Sequence, residues 1–570
     1  MAGGGLAVNH YFHSVTLDSE KCRGCTNCIK QCPTEAIRVR DGKARIIEER
    51  CIDCGECIRI CPNHAKIVVA DRLEKLQEFD YTIALPAPAL FGQFKPETDP
   101  AMILGGLLRI GFSRVFEVAI GAELITQAIR HEILRRKERK PLISSACPAV
   151  VRLMQVRFPG LLSHVIPVKA PMEVSAKMAK EAAMREVGLP LSRIGAFFIT
   201  PCPAKVTAVK QPVGDDNTWV DGVFTMAALY GELRQHAKSS NADASLHQAT
   251  GAGMGWGRAG GENLAIGTGS LLSVDGIHSV VAVLEELEKG GMGEIDYIEA
   301  QACVGGCIGG PLVVQNPFMA RVLIRKMAEK YSQKPSLVSR ERAAEMIAGG
   351  HFVIDKSIEP RPVMQLDGDI GRALSKMALL EQTLQHLPGL DCGSCGSPHC
   401  RALAEDIVRG FALESDCIFK LRERVRSLAE EMVELAQKVP PAMGRLQPVG
   451  REEGKERLIL REVVEVLDAI LHGEPIVLER QVTGAYCSDL LSDAMANAKE
   501  GNIWFTIQTH PNVIAVASLL NLSAVVITGG REPDPETLVK AKQENLAVLV
   551  TKARSFEAAG KIYRCLNERK

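Results

Sequence analysis

From about Tyr81 onward, short apolar runs alternate with stretches whose apolar residues return at helical spacing. The runs Thr82–Leu85, Val115–Val118 and Ala196–Ile199 read as strands, and Glu123–Arg136 reads as a helix between them. This alternation predicts an α/β domain with functional side chains on loops at strand ends. A second α/β pattern closes the chain. It has strands at Ile476–Leu478, Ile503–Ile507, Ala524–Ile527 and Ala547–Val550, and helices near Leu490–Ala498, Val513–Leu520 and Pro535–Glu544.

Between these two patterns lies a different period. From about Ile418 to Val439, the apolar residues Leu421, Val425, Leu428, Met432, Leu435 and Val439 step alternately by four and three, which is a heptad seam. The seam suits a helix lying on its own domain, or a parallel dimer helix carrying a signal. Pro440 and Pro441 end it. The stretch that follows, PPAMGRLQPVGREEGKERL, has the Pro, Gly and charge content of a linker.

At 570 residues, the chain has room for several domains and enough apolar content, 46%, for more than one core. Lys+Arg and Asp+Glu both number 68, so bulk charge recruits neither nucleic acid nor an anionic membrane. Met1–His13 lacks the pattern of a secretion signal, and no apolar run is long enough to span a bilayer. The expectation is a cytoplasmic protein.

Sixteen of the eighteen cysteines fall into three sets, leaving Cys487 and Cys565 over. Closely spaced CxxC groups in a large chain favour metal over disulfides. The first set is a CxxCxxCxxxCP unit that occurs twice, Cys22, Cys25, Cys28, Cys32 and Cys51, Cys54, Cys57, Cys61. In two-cluster ferredoxins the fourth cysteine of each run reaches the other cluster. That rule groups Cys22, Cys25, Cys28 with Cys61, and Cys51, Cys54, Cys57 with Cys32. Zinc is the alternative, and Pro33 and Pro62 weigh against it. The other sets are Cys147, Cys202, Cys303, Cys307, which are too far apart for a local motif, and Cys392, Cys395, Cys400, Cys417, which suit iron–sulfur or zinc.

The segments Ser144–Pro148 (SSACP), Thr200–Lys205 (TPCPAK) and Ala302–Gly310 (ACVGGCIGG) together resemble the cluster-binding signatures of FeFe hydrogenases. Gly111–Leu124 and Ala87–Phe94 agree, and the resemblance covers about residues 20–365. It implies an H-cluster, a 4Fe-4S cubane joined to a diiron subsite with CO, CN and a bridging dithiolate. Cys147, Cys202 and Cys303 would bind the cubane, Cys307 would bridge to the diiron unit, and Lys205 would donate a hydrogen bond to a cyanide. Three further 4Fe-4S clusters would occupy the remaining sets. Residues 386–417 resemble a small 4Fe-4S domain, and the last hundred residues, with VITGGREPDP, resemble a DRTGG domain. Amides near Thr528, Gly529 and Gly530 could there hold an anion, or form only a tight turn.

The expected fold class is therefore multidomain α/β and α+β. Residues 1–78 form a two-cluster ferredoxin-like domain, 79–365 the FeFe-hydrogenase α/β domain, and 366–440 a small 4Fe-4S helical domain. A linker at 441–458 leads to a DRTGG-like α/β domain at 459–570.

The departures from the family point to sensing. Ala146 stands where efficient members carry a proton-relaying cysteine, and a methyl moves no proton. Ile129 and Ala170 occupy the next relay positions, leaving Glu132 as the remaining carboxylate. Thr200 and Gln301 replace methionines, and Ala208 replaces a glutamate. A complete ligand set with a dismantled relay resembles the sensory FeFe hydrogenases, which implies slow turnover and H2 detection. The resemblance also implies hydrogenase maturation factors, and as partners a ferredoxin or a signalling kinase or phosphatase. An ordinary ferredoxin-linked hydrogenase, or an iron–sulfur scaffold lacking the diiron site, are the alternatives.

Overall fold

The computed structural model describes residues 12–136, 138, 140–239, 243–437, 458–472 and 475–568. The chain divides into two compact units, Met1–Glu431 and Met432–Lys570.

The first unit opens with the cysteine repeat. Strand Val15–Leu17 pairs antiparallel with Lys66–Val68, and Ile37–Arg40 forms a hairpin with Lys43–Ile46. The short helices Asn27–Lys30 and Glu56–Arg59 each carry the third cysteine of a run.

Two parallel sheets follow. One has the strand order Arg114–Val115, Tyr81–Pro86, Ile194–Thr200, Gly222–Thr225. The other has the order Leu271–Asp275, Tyr297–Gln301, Leu142–Ile143. Ile194–Thr200 is buried at every position, as a parallel strand covered on both faces must be. Ligands of such sheets gather beyond the carboxyl ends of the strands. Here those ends lead into Ser144–Cys147, Cys202 and Cys303.

The expected strand Val115–Val118 is shorter than the sequence suggests. It stops at Val115, and helix Val118–Arg135 begins three residues on. The unit ends with helices Ile370–His386 and Cys400–Val408 and the start of Ile418–Gln437. On that last helix Leu421, Val425, Leu428 and Met432 are all exposed, and Val439 lies outside the described residues.

The second unit is a five-stranded sheet of order Ile470–His472, Ala547–Val550, Ala524–Ile527, Asn502–Thr506, Gly484–Cys487, with only the first strand antiparallel. Alternate residues of its central strands enter separate cores on the two faces, Phe505 and Val526 on one, Trp504 and Val525 on the other. The expected strand Ile476–Leu478 is instead part of a 3-10 turn, Pro475–Glu479, from which Val477 reaches the core. The linker expected at 441–458 lies outside the described residues except for Leu458.

Candidate metal centre

Cys147, Cys202, Cys303 and Cys307 all line one cavity at the ends of the two parallel sheets. Cys147 and Cys202 sit at the N-caps of helices Pro148–Arg157 and Pro203–Lys210, each with proline in the first turn. Proline fits there because its missing N–H would have been unpaired anyway, and the positive helix end favours an anionic ligand. Gly306 has φ +87°, and a Cβ there would stand 2.3 Å from Gln301 Oε1 and 2.6 Å from Ala259 N. Only glycine lets this loop close around the cavity.

Burial pushes the Cys303 thiol up to about 12 and raises those of Cys147 and Cys202 as well. Such thiols ionise when a bound cation compensates them. Lys205 is half-buried with its Nζ 3.6 Å from Cys307 Sγ, and it makes no ion pair with a carboxylate among the described residues. Burial works against this ammonium, but the surrounding thiolates outweigh it and hold its pKa above the lysine range. An ammonium turned into this cavity beside four cysteines favours anionic ligands there. Gln301 Oε1, buried at the cavity, has no hydrogen-bond partner among the described residues. The donor set therefore fits an iron–sulfur group with anionic ligands.

The cysteine repeat abuts this cavity. Cys54 lines it, and a Cβ on Gly55 would meet Pro311 at 2.4 Å and Pro203 at 3.0 Å. Arg59 Nη2 donates to Gly309 O at 2.8 Å, placing its guanidinium between the Cys54 and Cys303 loops. Cys22, Cys25, Cys28 and Cys61 line a separate cavity. Burial raises the thiols of Cys51, Cys54 and Cys57, and Cys32 adds to the effect in each case, so these four lie together.

A family model described as the iron only hydrogenase large subunit, C-terminal domain, matches residues 80–270. A 4Fe-4S dicluster domain model matches 14–62, and an Fe-S cluster model matches 387–419. Iron hydrogenase 1 of Clostridium pasteurianum is 24% identical over 289 residues, 42% of this chain and 50% of that one. The NADP-reducing hydrogenase subunit HndD of Solidesulfovibrio fructosivorans is 25% identical over 340 residues, 51% of this chain and 55% of that one. This is a hydrogenase-like iron–sulfur protein related to the FeFe hydrogenases. The chain spans about half the length of these two hydrogenase relatives. Cytosolic Fe-S cluster assembly factor NAR1 of Scheffersomyces stipitis is 28% identical over 148 residues, 25% of this chain and 27% of that one.

In this hydrogenase-like site, Ala146 and Ala170 present methyl groups to the cavity, and Ile129 is packed in an apolar cluster. Thr200 is buried, with its Oγ1 accepting from Cys202 N at 3.2 Å. Ala208 faces a neighbouring chamber. Glu132 does not line the cavity. Its carboxylate accepts from Arg135 at 2.9 and 2.8 Å and from Arg136 at 2.7 Å. Burial works to raise its pKa, but the two arginines outweigh it and hold the carboxyl below its ordinary value.

The structure supplies a different carboxyl. Glu262 lines the cavity, fully buried, and accepts from Ser144 Oγ at 3.0 Å and from Tyr297 OH at 2.5 Å. Burial, with the negative charge of Glu299 adding to it, pushes its pKa up to about 8. Glu299 projects from the same strand face as Tyr297. It accepts from Gly260 N, Asn263 N and Ser273 Oγ, and Ser273 is exposed. Glu262 directly follows the glycine-rich stretch Gly251–Gly261, and no motif marks it. Glu299 carried a readable signal, a charge inside the apolar strand YIEAQ.

Cys395, Cys400 and Cys417 share one core, and Cys392 is exposed beside them. This cysteine set docks on the repeat through buried charge. Asp406 accepts from Arg38 at 2.6 and 3.0 Å, Arg40 at 3.1 Å and Ser397 at 3.0 Å, while Arg50 pairs with Glu405. Val39 N donates to Gly396 O at 2.8 Å, and a Cβ on Gly396 would stand 2.0 Å from Val39 O. Asp406→Asn leaves Arg38 underpaired in a dry interface, a loss of about 3–5 kcal/mol. Hydrogen exchange should show residues 387–417 opening first, with the parallel sheets still protected.

The turn at Thr528–Gly530 does not offer free amides. Gly529 N and Gly530 N donate to Ala553 O and Thr551 O, both at 2.9 Å, and Thr528 Oγ1 lies 2.7 Å from Ser555 Oγ. It is a tight turn with its polar groups already paired.

Proposed function

We propose that this protein is an H2-sensing FeFe hydrogenase of low turnover, cytoplasmic, with DRTGG-like architecture in its second unit. The observation that carries the reading is Lys205 beside Cys307, a half-buried cation facing the cavity and poised for anionic ligands, where the usual relay position is a methyl. An H-cluster held by Cys147, Cys202, Cys303 and Cys307 supplies H2 binding and electron uptake. Lys205 then orients the anionic ligands through charge-assisted hydrogen bonds. Glu262, whose pKa burial pushes up to about 8, holds a proton at the cavity wall between Ser144 and Tyr297, and the charge of Glu299, which accepts from exposed Ser273, acts on it through space.

In this reading Cys51, Cys54, Cys57 and Cys32, the Cys22 set and the Cys392 set would hold three further 4Fe-4S clusters, which would supply a path for electrons. Cys417 O accepts the Leu421 amide at 2.8 Å, so the last ligand opens the heptad helix directly. A change in redox state would there bias the packing of the 421–439 helix, which we assign to a homodimer contact. A ferredoxin, or a kinase or phosphatase, would read the output, and maturation factors would deliver the diiron unit.

The test is an infrared spectrum of anaerobically matured protein under nitrogen and then H2. CO and cyanide bands that shift with H2 are expected. Intact cubanes without such bands would leave the second reading, an iron–sulfur scaffold, which the likeness to NAR1 favours.

A further inference from the structure

The strand Lys66–Val68 turns the opposite way from what apolar packing alone would favour. Lys66 is only 4% exposed, while Ile67, on the other face, is 43% exposed. A strand with one buried face ordinarily takes the register that buries its isoleucine. Lys66 Nζ has no hydrogen-bond partner among the described residues. An ammonium held inside a protein is costly unless an anion compensates it.

Lys66 lines the cavity of Cys22, Cys25, Cys28 and Cys61, which no carboxylate lines. The other cation there, Arg23, is exposed. Cys28 and Cys61 of this group pack in one small core with Cys32 and Cys57 of the neighbouring group, around Ile29, Ile37 and Ala65, and Lys66 directly follows Ala65. Burial raises the thiols of Cys28 and Cys57, and Lys66 is the foremost charge opposing that rise on each. Asp53, 1% exposed, supplies the contrary charge on the neighbouring group: it adds to the rise at Cys51 and Cys57 and does not line the Cys22 cavity. One cysteine group thus faces a buried cation alone, and the other a buried cation and a buried anion.

We propose that Lys66 is a positioning charge that raises the reduction potential of the cluster at Cys22, Cys25, Cys28 and Cys61 more than that of its neighbour, so that an electron within the repeat is drawn to that site. The proposal rests on the reading that those four cysteines hold a 4Fe-4S cluster, and not on the chemistry of the central cavity. Reduction adds one electron, and so one negative charge, to a group that thiolates already make anionic. A buried ammonium stabilises that added charge with little screening by water or salt. Net charge near the sulfurs is one of the quantities that set such potentials.

A redox titration of the full-length, iron-loaded protein, followed by electron paramagnetic resonance, tests this without any turnover. Cys25→Ser and Cys54→Ser mark the signals of the two sites by altering one each. Lys66→Met, which keeps the length of the side chain and removes its charge, should make the cluster marked by Cys25→Ser at least tenfold harder to reduce, about 59 mV for one electron. The shift at the neighbouring cluster should be smaller, and iron content should stay unchanged. Lys66→Gln should act in the same direction. Midpoints unmoved in both variants, or moved equally at the two clusters, overturn the proposal. Loss of iron from the site in both variants also overturns it, because Lys66 would then serve to retain the cluster rather than to tune it. If Cys25→Ser alters no signal, or the site of the unaltered protein holds zinc, the cluster reading itself fails, whatever the Lys66 variants do, and the proposal falls with it.

Discussion

Glu262→Gln is expected to slow H2 evolution and H2/D2O exchange by about 10²–10⁴, the usual worth of a positioned proton donor. Glutamine keeps the shape of the side chain and can still accept from Ser144 and Tyr297, so the fold and the iron–sulfur signals should survive. What it removes is the exchangeable carboxyl proton. A carboxylic acid kept neutral at pH 7 by burial can donate; its amide cannot exchange that role. The decisive comparison sets turnover against the infrared spectrum. Slow turnover with unchanged CO and cyanide bands places Glu262 on the proton route, whereas full turnover in this variant would remove it from that route.

The pH profile follows with a definite sign. Burial raises Glu262 to about 8, so below that pH the group carries its proton and can deliver it, and above it the carboxylate cannot donate. Proton reduction should therefore fall as pH rises through about 8, and Glu262→Gln should flatten that limb. The same shift bears on stability. The proton is held more tightly in the folded chain than in the unfolded one, so the stabilisation it brings is complete below the ordinary carboxylate range and declines as pH rises toward 8.

The cysteines were legible because thiolate ligands two residues apart must share a centre, and because the second set sits in distinctive Pro and Gly contexts. Long apolar strands such as Ile194–Thr200 were legible for a similar reason, since a strand covered on both faces cannot hide its pattern. Short runs were not. Ile476–Leu478 has the composition of a strand, yet a 3-10 turn buries Val477 equally well, and a run that short does not separate the two. Proton handling was the least legible feature. Ser144 and Glu262 are 118 residues apart and meet only because a helix and a strand end converge on one cavity. The ion pairing of Glu132 was legible too: Arg135 and Arg136 lie three and four positions on, where a helix brings them against the carboxylate.

Ala146→Cys is expected to raise turnover, by about 10² if the missing thiol is the limiting step. The substitution is conservative in space, because the Ala146 methyl already faces the open cavity and its amide is fixed by Ser144 Oγ at 3.2 Å. A thiol there would stand on the same loop as Ser144, which already contacts Glu262. Two arrangements follow, and the double variant separates them. If the introduced thiol passes protons onward through Ser144 and Glu262, its benefit should vanish in the Glu262→Gln background, because the two groups act in series. If it opens its own path through water in the cavity, the gain should persist there, and the two effects should add. No gain in either background would place the limit beyond proton delivery.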